Sequence, residues 1–156
     1  MARSVPPTNL PPAQCTQSPE EAHRDVAFVI FASLTETIVA VMTQHFATLG
    51  GLFQNGLSDA SLKVRVAALK AVLALVSNMT GEATEISIVK GLVPHILATA
   101  RNAVAAGEEE NAGLAYEVLD ELIESQPAAL AGHIPDVVHF CVEMAQVSYI
   151  TLNPRP

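Results

Sequence analysis

The residues able to do chemistry are few, and their spacing assembles no reactive group. Five histidines, His23, His45, His95, His133 and His139, occur without a His-Glu-x-x-His pair or any Cys/His spacing that would hold a metal. His133 and His139 stand six apart, which puts them on different faces of a helix. The cysteines, Cys15 and Cys141, lie far apart in unrelated contexts with no secretory signal. That is the pattern of a reducing compartment, with Cys141 expected as a small buried apolar residue. Acids are plentiful, yet no nucleophile elbow, phosphate-cradling glycine loop or Cys-His-Asp pattern accompanies them. No catalytic, cofactor-binding or metal-ligating residue is assigned, and no cofactor is expected.

What the sequence does place with regularity is charge. After Gly107, Leu114, Ala115, Val118, Leu119 and Leu122 share one face of a helix. Glu110, Glu117, Asp120, Glu121 and Glu124 form an opposite stripe about 100° wide. Two readings stand beside each other. The stripe is either an ordinary solvated face or a strip for a basic protein segment, where clustered like charge raises the local potential and speeds encounter. A second charge, Arg65, falls in the middle of the apolar face made by Ala68, Leu69, Val72 and Val76, opposite Lys63 and Lys70. An unpaired guanidinium buried there would cost several kcal/mol, roughly. Asp59, six residues earlier in a turn, is the expected partner, in a structural ion pair between helices or repeats. Phe46, Phe53 and Phe140 are assigned to the core rather than to a ligand groove.

The elements that must position these groups are helices. Residues 1–18, with two Pro-Pro pairs and no apolar period, read as a disordered proline-rich lead-in. Residues 19–147 carry about six helices. Pro19, Glu20 and Glu21 open the first, over 23–42. A second covers about 43–54, and Asn55-Gly56 and Ser58-Asp59 punctuate a turn. The long apolar helix around which the chain is organised follows within 56–79. The next spans about 85–106, with Ile88, Leu92, Ile96, Ala100 and Val104 on one stripe and Pro94 either in its first turn or kinking it. Gly107 stops it, Glu108, Glu109 and Glu110 start the acidic helix, and Pro127 closes that. The last runs over about 131–146, and 148–156 reads as a non-helical tail.

The helices repeat. Leu69 to Tyr116, Val72 to Leu119 and Leu75 to Leu122 are each 47 residues apart, while Arg24 to Arg65 and Pro94 to Pro135 are each 41. Such a period belongs to HEAT and armadillo arrays, in which helix hairpins stack because none can bury its apolar face alone. The fold class is therefore all-α, a HEAT-repeat (armadillo-like) α-solenoid segment of about six antiparallel helices. The register starts on a second helix and ends on a first helix, as an excised piece of an array would. Composition agrees: half of the 156 residues are hydrophobic, 4% aromatic and none Trp, so Ala, Leu and Val build the core. A formal charge of −8 argues against nucleic acid and for a basic protein partner. No apolar run reaches the roughly 18 residues of a membrane span.

An Asp in the turn, Val-Arg six residues later and Ala and Leu at helical spacing resemble the HEAT repeat. HRDVAFVIFASLTETI, VRVAALKAV and GEEENAGLAYEVLDELIESQPAAL together resemble consecutive repeats of the importin-β (karyopherin-β) family, nearest its importin-4 branch, over residues 23–146. The resemblance implies a nuclear transport receptor moving between cytoplasm and nucleus. It implies basic cargo and Ran-GTP on the concave surface of second helices, and phenylalanine-glycine nucleoporins between first helices. The amino-terminal repeats that commonly carry the main Ran contacts are not in this sequence. A HEAT scaffold of another pathway, such as phosphatase assembly or RNA processing, is the alternative, with an enzyme accessory domain third.

Overall fold

The structure, a computed structural model, describes residues 12–42 and 46–152. Its elements are α1 (Pro12–Cys15), α2 (Glu21–Met42), α3 (Phe46–Leu57), α4 (Leu62–Ser77), α5 (Ala83–Ala106), α6 (Glu109–Ser125), a 3-10 turn (Pro127–Leu130) and α7 (Ile134–Leu152). Among the described residues no strand occurs. Helices α2, α4 and α6 pack side by side in one layer, and α3 and α5 pack together in a second. Each of α3 and α5 folds back on the helix that follows it, α4 and α6. Arg101 of α5 ties α7 to the second layer, through a 2.8 Å bond to Glu143 and a cation–π contact with Phe140. The architecture is the expected all-α HEAT solenoid: among the described residues two complete hairpins lie between a second helix, α2, and a first helix, α7.

Helix α4 is the core of the stack because apolar residues surround most of its circumference. Val64, Ala67, Ala68, Leu69, Ala71, Val72, Leu75 and Val76 are all buried, and Lys63 and Lys70 stand in solvent. Small Ala positions let α2 and α3 approach closely. Gly56 shows how closely: a Cβ built there would meet the Phe28 ring at 2.3 and 2.7 Å and the Ala68 methyl at 2.9 Å. That contact explains a difference from the sequence expectation. Asn55-Gly56 does not open a turn but lies inside α3, which runs on to Leu57. The glycine is retained for interhelical space, and the turn starts only at Ser58. Phe28, Phe31 and Phe53 cluster beside it, ring centroids 6.0–6.4 Å apart.

The helix ends follow local chemistry. Gly107 takes the left-handed conformation (φ 73°) that closes α5, and Glu108 leads into α6. Glu85, almost fully buried, reaches back so that one carboxylate oxygen accepts from the Thr80, Gly81 and Glu82 N–H groups and the Thr80 hydroxyl. With Glu82 it completes a capping box for α5. Pro94 lies deep inside α5, not in its first turn; Lys90, whose carbonyl loses its donor, is exposed to water.

Three expectations need correction. The tail from 148 is not non-helical at first: α7 continues to Leu152, because extending a formed helix costs little and nothing stops it before Pro154. The lead-in 1–18 holds one helical turn, Pro12–Cys15, begun by a proline that a first turn tolerates. Cys141 is exposed, not buried: it lines the cleft between α6 and α7 and is not part of the core that takes Val137 and Phe140. Phe53 and Phe140 are buried as expected. His45, the side chain of Phe46 and residues 1–11 and 153–156 lie outside the described residues.

Candidate protein-interaction face

A ladder of charge runs along the α2–α4–α6 layer and fixes its register. Asp59, in the turn before α4, does not pair its carboxylate with Arg65. It accepts two bonds from Arg24 of α2 instead, Nε to Oδ2 at 2.7 Å and Nη2 to Oδ1 at 3.0 Å, and a third from the Ser61 N–H at 2.8 Å. The Arg24 hydrogen bonds, with the Ser61 N–H and the positive charges of Arg24 and Arg65, hold the Asp59 carboxyl below its ordinary range against the opposing effect of burial. The same pairing raises Arg24 further above its ordinary value. Arg65 is satisfied by backbone: its Nη1 donates to the carbonyls of Asp59 (2.9 Å) and Ala60 (3.1 Å). Its other amino group stands 3.8 Å from Glu108, a looser link forward to α6. The correction has a geometric reason. Arg65 starts so close behind the turn that its side chain curls onto the turn carbonyls, leaving the carboxylate to the preceding second helix. Arg24 was missed by the pairing argument, although its 41-residue spacing from Arg65 carried the signal.

The acidic stripe is present on α6. Glu110, Glu117, Asp120 and Glu124 are exposed and Glu121 is partly so, while Ala115, Val118, Leu119 and Leu122 are buried behind them. Among the described residues none of the five carboxylates takes part in an ion pair. Two clefts border the stripe. Toward α4, one of about 470 Å³ is lined by apolar Val29, Leu62, Val66 and Ala67 together with the charged Lys63, Lys70, Asp25, Glu109 and Glu110. Toward α7, one of about 340 Å³ is edged by Glu117 and Asp120 over Tyr116, Ile123 and Phe140. Burial pushes the Tyr116 phenol up, and Cys141 beside it adds to the effect.

The four described histidines make local contacts. His23 bonds the Ser18 hydroxyl at 3.1 Å, and His95 lies between Gln54 and Ser58, joining α5 to α3. His133, just ahead of α7, lies 3.7 Å from Asp136 in its first turn, and His139 lies 3.9 Å from Glu143 one turn further along the same helix. Among the described residues no group of His, Cys, Asp and Glu could hold a metal ion, and no helix is long and apolar enough to cross a membrane.

Contacts between successive first helices recur at 41–42 residues: Gln54 with His95 at 41, Leu57 with Thr99 and Arg101 with Glu143 at 42. A family model described as "IPO5-like, TPR repeats" matches residues 13–140. The chain belongs to this importin-β family. Although the description speaks of TPR repeats, whose unit is about 34 residues, the observed spacing is that of HEAT units. The importin-β fold is borne out in a solved structure, the crystal structure of the karyopherin Kap121p bound to the SUMO protease Ulp1p. It aligns with a TM-score of 0.66 at 23% identity over 83% of this chain. The importin-β segment seen here spans 12% of that karyopherin's length. Comparison with curated proteins gives no significant match.

Proposed function

We propose that this importin-β segment binds protein cargo for nuclear transport, and that the α6 stripe of Glu110, Glu117, Asp120, Glu121 and Glu124 holds a Lys/Arg-rich stretch of it. The observation that carries the proposal is five carboxylates on a second helix, none of them in an ion pair among the described residues. Structural acids in this molecule behave otherwise: Asp59 and Glu85 are enclosed by donors. Family membership supports a transport receptor, with no enzymatic step, passing between cytoplasm and nucleus. Ran-GTP and phenylalanine-glycine nucleoporins are further proposed partners, and the importin-4 branch is the finer assignment, resting on the sequence resemblance over residues 23–146.

The test is a titration of a Lys/Arg-rich segment from a histone or ribosomal protein. Reversing Glu117, Asp120 and Glu124 to Lys weakens binding, chiefly through slower association, and leaves the fold intact because all three point to solvent. Reversing Glu20 and Glu21, exposed at the start of α2, does much less. Wild-type affinity falls steeply with salt, since the screening length contracts from about 10 Å at 0.1 M to about 3 Å at 1 M. Equal losses from both reversals would mean that only the overall charge matters, and the stripe would be an ordinary solvated face. Binding to neither basic segments, Ran-GTP nor phenylalanine-glycine repeats would favour a scaffold role.

A further inference from the structure

The open face of the α2–α4–α6 layer changes character from one helix to the next. On α4 it carries Lys63 and Lys70, about two helical turns apart and both exposed. One unit of 47 residues on, the same two positions of α6 are Glu110 and Glu117; one unit of 41 back, on α2, they are Ala22 and Val29. The cleft of about 470 Å³ crosses this change: Val29 lines it from α2, Leu62, Lys63, Val66 and Lys70 from α4, and Glu110 from α6. Val29 and Leu62 are 50% and 40% exposed although both are large and apolar. Lys63 and Lys70 are the cations of the lining, and among the described residues neither takes part in an ion pair. The cleft lies inside the array, between three helices of the chain. A further unit of a solenoid stacks beside α2 or α7, not over this face.

We propose that this cleft reads an apolar–acidic pair in the cargo, next to the Lys/Arg-rich run held by the α6 stripe; the pair takes that reading of the stripe as its basis and adds what distinguishes one basic segment from another. A segment lying across the layer from α2 to α6 meets apolar surface, then two cations, then a row of carboxylates. The complementary order in the segment is an aliphatic residue, an acid and then the basic run. The aliphatic side chain covers Val29, Leu62 and Val66 and takes their apolar surface out of water. The acid is placed by Lys63 and Lys70. Asp25 and Glu109, the acids on either side of the lining, are like-charged with it, which leaves the lysines as its position. A uniformly basic segment would set its own cations against Lys63 and Lys70. The two lysines therefore favour the right segment and penalise the wrong one.

Fluorescence anisotropy on the whole chain tests this with three labelled peptides that share one Lys/Arg run and differ in the two residues before it: Leu-Glu, Ala-Glu and Leu-Gln. The Leu-Glu peptide should bind about tenfold tighter than Ala-Glu, the discrimination an apolar site makes between aliphatic side chains. It should bind about three- to fivefold tighter than Leu-Gln, the worth of an exposed ion pair. Val29→Ser should remove the first preference. Lys70→Glu should remove the second and keep the first, whereas Lys90→Glu, exposed on α5 outside the cleft, should keep both and so controls for overall charge. All three positions face water, and far-UV circular dichroism checks that each variant folds. Equal binding of the three peptides, still weakened by reversing Glu117, Asp120 and Glu124, would overturn the apolar–acidic pair and leave the stripe as a basic-segment site. Peptides that fail to bind, or that ignore the stripe reversal, would overturn both. A Glu-over-Gln preference that survives Lys70→Glu, or that Lys90→Glu removes equally, would overturn the placement of the acid.

Discussion

Gly56→Ala sets two effects of known size against each other. Inside an exposed helix the change would stabilise by about 1 kcal/mol, because alanine gives up less backbone freedom on folding. At this site the new methyl would lie 2.3 and 2.7 Å from two carbons of the Phe28 ring and 2.9 Å from the Ala68 methyl, where carbon contacts normally settle near 3.5–4.0 Å. Phe28 is buried and cannot swing into solvent, and Ala68 has no torsion with which to withdraw. The relief must come from moving α2 or α3 away from α4 by on the order of 1 Å. Overpacking of this kind costs roughly 1–3 kcal/mol, and a clash on two sides belongs at the top of that range. The net expectation is a loss of about 2 kcal/mol, or a fall in melting temperature of about 4–8 °C for a chain of this size. Thermal unfolding followed by circular dichroism reads it. Gly51→Ala and Gly91→Ala, exposed helical sites with nothing within 4 Å of the new methyl, are controls that should hold or raise the melting temperature. Phe28→Leu in the Gly56→Ala background should cost less than in the wild type, since the ring it trims is the one displaced. A Gly56→Ala protein as stable as the Gly51→Ala control would refute the close packing of α2, α3 and α4.

Two further outcomes follow from the polar contacts. Asp59→Asn should destabilise the chain above about pH 5 and by less as pH falls: the carboxyl is depressed in the fold, so its contribution is present above the ordinary value of 3.8 and disappears as pH drops through the folded value. A wild-type-minus-variant gap in melting temperature that stays constant down to pH 2 would contradict the Arg24–Asp59 pairing. Glu85→Ala should cost about 2–3 kcal/mol in urea unfolding, because three backbone N–H groups lose one acceptor, and Glu85→Gln should recover part of it; wild-type stability in the alanine variant would show that water replaces the cap.

The sequence alone determined the class of fold and most helix ends. Those depend on interactions along the chain: apolar residues at helical spacing, Gly107 at a left-handed stop, acids ahead of α6, and a 41–47-residue recurrence that only stacked hairpins explain. It also determined which residues of α6 face water, because the face opposite a packed stripe is set by the helix period. The choice of partners was decided by tertiary structure. Asp59 has Arg65 six residues away and Arg24 thirty-five residues away, and it takes the distant one, since a bidentate fork needs an approach direction that only packing α2 on α4 supplies. Gly56 looked like a turn residue and is a spacer, because the Phe28 ring that requires it comes from another helix. Cys141 and Val138 carry the same side chains whether a helix covers them or not. Their exposure depends on what lies across from α7, and no local pattern of residues contains that information.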